Sequence, residues 1–218
     1  MKPSASRFSK LSLVTLALIA LSGCAKKGDI DDTGGVVAVR SACPTAAIAV
    51  MTGDVTLFNP ESSRDANAID VVANITNLRS TCSEAGDQYF TEATFDVQAR
   101  RTRSDGPREV VLPYYSVVVR GGDNVVSKRI GQVRVNFADG QDRATASAKA
   151  ASYVDKAAAT LPPEVEAKLR ERRKEGDTNA ALDPLANPDV RAAIKRTSFE
   201  LLVGFNLTQD QLRYNATR

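Results

Sequence analysis

The chain has 218 residues, 29 lysines and arginines against 26 acids, a formal net charge of +3, three cysteines and no histidine. That length suits one ordinary domain, or one domain carrying an insertion. The missing histidine excludes the Ser–His–Asp triad, histidine general bases and histidine-ligated zinc or haem, and nothing in the composition calls for a cofactor or metal.

The first stretch differs from the rest. Residues 1–10 carry Lys2, Arg7 and Lys10 and no acid, and residues 11–21 are apolar apart from Ser12 and Thr15. A short basic start, an apolar run of about 7–15 residues and small residues before a cut site describe a secretory signal peptide over 1–23. The apolar run is too short to span a bilayer, which needs about 20 residues. Removing the three leader cations leaves 26 basic residues against 26 acids. The balanced remainder gives no reason to expect nucleic acid as a partner.

Leu21-Ser22-Gly23-Cys24 resembles the lipobox of bacterial lipoproteins. The resemblance implies cleavage before Cys24, a diacylglycerol on its thiol and a fatty acyl chain such as palmitate on its new amino group. More than one acyl chain makes a stable anchor in the lipid bilayer. Ala25 stands where inner-membrane lipoproteins typically carry aspartate, so the resemblance implies the outer membrane, facing the periplasm. Beyond the leader the chain resembles Gram-negative lipoproteins only in being β-rich, which assigns no residue a role.

Residues 24–42 read as the lipidated terminus and a flexible tether, polar, small and without periodicity. Asp29, Asp31 and Asp32 lack the further carboxylate that a calcium loop needs. Cys43 and Cys82 then remain as an even pair in an oxidising compartment, and a disulfide is expected. Its loop of about 40 residues corresponds to roughly 3–4 kcal/mol in the chain-entropy account. Two free buried thiols are the alternative.

From 43 to 218 a single domain is expected. Ala46–Met51 and Val55–Phe58 read as a first strand or a split pair, and Ile69–Leu78 as the next. Phe90–Arg103 has the clearest alternation, with Ala93, Phe95, Val97 and Ala99 on one face. After a turn at 104–107, Val110–Val119 is rich in β-branched and aromatic residues, and Pro113 within it argues for an edge position or a bulge. Gly121–Asn124 is a hairpin turn, Val125–Phe137 another strand, and Asp139-Gly140 a further hairpin signal. Ala144, Ala146, Ala148 and Ala150 alternate with polar residues, a period of two that predicts a strand despite alanine's helix propensity. A helical insertion spans 162–196, with an exposed helix at Pro163–Glu175 and a second at Pro188–Arg196 capped by Asn187. Phe199–Leu207 returns as a strand, and Thr208–Gln211 fits a capping box opening a short C-terminal helix.

About seven strands with turn signals suggest a mainly β fold, an antiparallel β-sandwich that is immunoglobulin-like in broad outline. An up-and-down barrel is the alternative. The carboxylate pairs Glu164/Glu166 and Asp139/Asp142, and the Ser–Lys neighbours Ser127/Lys128 and Ser147/Lys149, are the only histidine-free catalytic constellations, and each also fits a solvated face. No catalytic residue is assigned. For binding, Tyr114 and Tyr115 sit beside Pro113, one expected to face the core and one solvent. Arg100, Arg101, Arg103, Arg108, Arg120, Lys128, Arg129 and Arg134 crowd the same strands against Asp96, Asp105, Glu109 and Asp123. Tyr114, Tyr115, Arg100, Arg120 and Arg134 form the candidate patch; ordinary packing and a balanced surface are the alternatives. The expected function is non-enzymatic binding of an envelope protein or glycan. A histidine-free envelope hydrolase and a small-ligand carrier are the competing readings.

Overall fold

A computed structural model describes residues 41–171 and 183–217; Cys24, the leader and the tether up to residue 40 lie outside the described residues. The chain divides into one unit of 40–166 and 183–218 and another of 1–39 and 167–182. Of the second unit only 167–171 are described, and residues 167–170 continue a helix, α2 below.

The described residues are mainly β. Eight strands follow one another: β1 (Thr45–Ile48), β2 (Asp54–Phe58), β3 (Ile69–Ala85), β4 (Gln88–Arg101), β5 (Arg108–Arg120), β6 (Asn124–Phe137), β7 (Arg143–Asp155) and β8 (Phe199–Phe205). The helices are α1 (Lys156–Ala159), α2 (Pro163–Arg170), α3 (Pro188–Thr197) and α4 (Gln209–Thr217). The strands form two four-stranded sheets, ordered β1-β8-β5-β6 and β2-β3-β4-β7.

The alternating residues decide what is inside. Val71, Ala73 and Ile75 of β3, Ala93, Phe95, Val97 and Ala99 of β4, Val133, Val135 and Phe137 of β6, and Leu201, Val203 and Phe205 of β8 belong to one buried cluster fed by both sheets. Burial of each larger side chain contributes about 1.5–3 kcal/mol. The inward row of β7 is alanine from Ala144 to Ala150, and the space it leaves is crossed by Tyr114 of β5, whose hydroxyl donates to the Lys149 carbonyl at 2.8 Å while its ring meets Phe95 edge-on at 5.2 Å.

Several expectations are corrected. The first strand region is a split pair whose halves go to different sheets, which raises the strand number to eight. β1 runs parallel to β8, so the first sheet is not wholly antiparallel. Joined by Ala49–Gly53, β1 and β2 pair with β8 and β3 and not with each other. β3 runs on to Ala85 rather than ending at Leu78. Asn77 adopts φ 51°, the register shifts between Thr76 and Arg79, and the strand continues through a polar stretch with no apolar face to reveal it. Cys82 therefore lies within a strand, opposite Thr91, and is bonded to Cys43 with Cα atoms 6.2 Å apart.

Pro113 is not on an edge strand, because β5 lies between β8 and β6. Its carbonyl accepts from the Asn206 N–H at 2.8 Å, one residue beyond the end of β8. The donor that proline lacks thus falls opposite Asn206, past the last residue of β8, so at most the terminal reciprocal bond is forgone and the ladder within β8 is intact. The bulge of β5 is elsewhere, between Val118 and Val119. Asp139-Gly140 does not close a hairpin; it carries the chain from β6 in one sheet to β7 in the other.

The helix ends follow their caps. Asn187 accepts from the Asp189 N–H at 2.9 Å, and α3 buries Val190 and Ala193. Thr208 and Gln211 bond reciprocally, at 2.9 and 3.2 Å, as a capping box at the start of α4. Helix α2 buries Val165, and the expected continuation to Glu175 lies outside the described residues from 172 on.

Candidate functional site

A cleft of about 890 Å³ opens between the end of β2, the turn after it and α4. Its volume is that of a small-molecule site. Helix α4 is fixed beside β2 by Asn215, whose amide donates to the carbonyls of Met51 and Asp54, both at 2.9 Å. This brings Tyr214 edge-on to Phe58 with ring centroids 5.1 Å apart. Arg64 lies 5.1 Å from the Phe58 centroid and donates to the Glu61 and Ser63 carbonyls at 2.6 Å each. The site therefore has a half-buried aromatic step with a cation beside it.

The inner wall is a carboxylate–guanidinium pair. Asp70, at the start of β3, is buried within a row of apolar residues. Arg108 at the start of β5 reaches both its oxygens, at 2.8 and 2.6 Å. Hydrogen bonding to Arg108 holds the Asp70 carboxyl below the usual carboxylate range against the opposing effect of burial, and the same bond raises Arg108. At the outer wall Arg213, and more weakly Arg64 at 3.9 Å, lower the Asp210 carboxyl. Three acids (Glu61, Asp70, Asp210) thus face two lining arginines (Arg64, Arg108), and Glu61 is the one acid without an ion pair among the described residues. A smaller cavity of about 150 Å³, lined mainly by Val55, Leu57, Leu112 and Phe205, adjoins the cleft and shares Leu57, Thr208 and Gln211 with it.

The residues singled out from sequence are not gathered here. Cys24 lies outside the described residues. Tyr114 spans the two sheets, and burial raises its hydroxyl. Tyr115 points to the other face, where its hydroxyl shares a 2.9 Å hydrogen bond with Thr52 and its ring lies under Lys128. Arg100 is on the second sheet, 3.5 Å from Asp142. Arg134 pairs with Glu109 at 2.8 Å, and Arg120, at the far end of β5, bonds the Arg196 carbonyl and lies over Phe199. Arg120 and the rung opposite Arg134, Val111, are nine residues apart on β5, about 30 Å in an extended strand.

Arg101 and Arg108 leave the expected basic face altogether. Arg101 is 2% exposed and continues the inward row of β4. Its guanidinium donates to the carbonyls of Gln141, Ser104 and Ala138 at 2.8, 2.8 and 2.9 Å and lies over Phe137. It joins the two turns that carry the chain between sheets.

The catalytic constellations also have other partners. Asp139 accepts from the Gly106 N–H at 2.8 Å while Asp142 pairs with Arg100. Ser147 donates to Asp96 and Lys149 pairs with Glu92. Ser127 and Lys128 occupy successive positions of β6 and so opposite faces. Glu164 and Glu166 lie in the first turn of α2. Among the described residues no group of three acids or cysteines is placed to hold a metal.

Sequence reading missed the cleft. Its one signal was an aspartate, Asp70, between Ile69 and Val71 in an apolar run; Phe58 and Tyr214 carried none, being 156 residues apart. No known protein family, curated protein or solved structure matches the chain.

Proposed function

We propose that the protein is an outer-membrane lipoprotein, anchored through acylated Cys24 and facing the periplasm, that binds an envelope glycan in the cleft without turning it over. Two four-stranded sheets feeding one core support a β-sandwich, and the immunoglobulin-like outline is part of this proposal. The observation that carries the reading is how the cleft's carboxylates are held. Asp70 takes both Arg108 hydrogen bonds, at 2.8 and 2.6 Å, and Asp210 pairs with Arg213 and Arg64, contacts that lower both carboxyls and commit them to ion pairs. Glycoside hydrolysis needs an acid and a second working carboxylate. An aromatic step flanked by fixed donors and acceptors instead suits a sugar ring, whose C–H face stacks while its hydroxyls bond Glu61, Thr208 and Gln211. The adjoining apolar cavity accommodates a small acyl substituent.

The test is calorimetric titration of the full chain with neutral oligosaccharides from the envelope glycan, with and without N-acetyl groups. Saturable binding is expected, weakened about tenfold by Phe58→Ala, or ~1.4 kcal/mol, and also by Glu61→Gln, an exposed change that leaves the packing intact. No binding by any fragment, or cleavage of one, overturns the reading. The anchor is tested separately: Cys24→Ala should move the protein from the membrane to the soluble fraction, and retention in the membrane would refute acylation.

A further inference from the structure

Strand β6 ends the first sheet, and its first half, Asn124–Ile130, is exposed along its length. Val125, Val126 and Ile130 are 60, 55 and 56% exposed. One edge of this half is bonded to β5; the outward edge takes no hydrogen bond among the described residues. Open edges of this kind, about 20 Å long here, are templates for an added strand.

The charge of the edge is one-sided. The whole of β6 carries Lys128, Arg129 and Arg134 and no acid. Arg134 is paired with Glu109, whereas Lys128 meets only the ring of Tyr115 and Arg129 has no ion-pair or hydrogen-bond partner among the described residues. Cross-strand pairing puts Lys128 and Ile130 on the face of Val117 and Tyr115, and Arg129 on the opposite face with Ser116. A strand added here meets two cations at successive positions, one on each face, with an apolar side chain beyond on either side.

We propose that the β6 edge accepts an extended acidic segment of another protein as a fifth strand. The segment's chemistry follows from the register: an apolar residue opposite Ile130, acids opposite Arg129 and Lys128, a small polar residue opposite Ser127 and an apolar residue opposite Val126. A second copy of this chain does not fit in the register that aligns its apolar residues. The antiparallel register that sets Val126 of one copy against Ile130 of the other places Lys128 opposite Lys128, and like charges directly opposite are destabilising.

The probe is a capped heptapeptide, Thr-Val-Glu-Asp-Thr-Val-Thr, against the same peptide with lysine in place of both acids, titrated into the full chain at low salt. The acidic peptide should bind about tenfold tighter and slow amide exchange at residues 125–130. The double change Lys128→Glu with Arg129→Glu should invert the preference; should it misfold, the single Arg129→Gln should reduce the preference severalfold. The proposal is overturned if the two peptides bind alike, if neither protects the edge amides, or if the edge is protected instead by self-association that rises with protein concentration. In the second case Lys128 and Arg129 guard the edge against pairing rather than recruit a strand, and in the third the strand it takes is a second copy's.

Discussion

The two halves of β6 have the same composition in outline and opposite fates. From Val133 to Phe137 the strand alternates buried apolar with exposed polar residues, while from Asn124 to Ile130 both faces are exposed. Propensity does not distinguish them, since each half is rich in β-branched residues. What differs is the layer beneath. Val133, Val135 and Phe137 join the core shared with the second sheet, and the crossing turn to β7 closes that end, with Arg101 over Phe137. Gly131 marks the boundary: a Cβ there would stand 2.5 Å from the ring of Tyr114, which passes beside it to reach β7. A strand is thus a local property, while its burial belongs to what faces it.

The contrast can be broken most forcefully at the buried half. Phe137→Ala removes a core ring and the surface under Arg101, and should cost about 3–5 kcal/mol in chemical denaturation. A loss below 1 kcal/mol would mean that the buried half is not core. At the boundary, Gly131→Ala forces Tyr114 aside and should cost about 1–3 kcal/mol, with the tyrosine losing its hydrogen bond to Lys149. Tyr114→Phe provides the control, because it keeps the ring and removes only that bond. At the open half, Ile130→Thr keeps the β-branch and should change stability by no more than about 0.5 kcal/mol. A larger loss would show that this half is covered in solution.

The strands and turns were legible because their signals are local. Alternation located β4, the alanine row of β7 and β8, and the caps at Asn187 and Thr208 marked both helix starts. The errors came where a neighbour decides the outcome. Pro113 argued for an edge because proline lacks a donor, yet the donor would have faced the place where β8 ends. Arg101 read as surface because it is charged, yet three turn carbonyls replace its water. The cleft was out of reach because Phe58, Asp70, Arg108 and Tyr214 meet only after three sequence-distant segments have folded together.

By itself the sequence determined the β-rich class, most of the strand pattern and the helix caps, from periods and spacings that act over a few residues, while the Cys43–Cys82 bond was expected from it and is formed in the structure. Which strand lies at an edge, which arginine is buried and which side chains line a cleft were settled only by the tertiary structure. Those properties depend on contacts between distant segments, and one shift of neighbour turns a core position into a surface one.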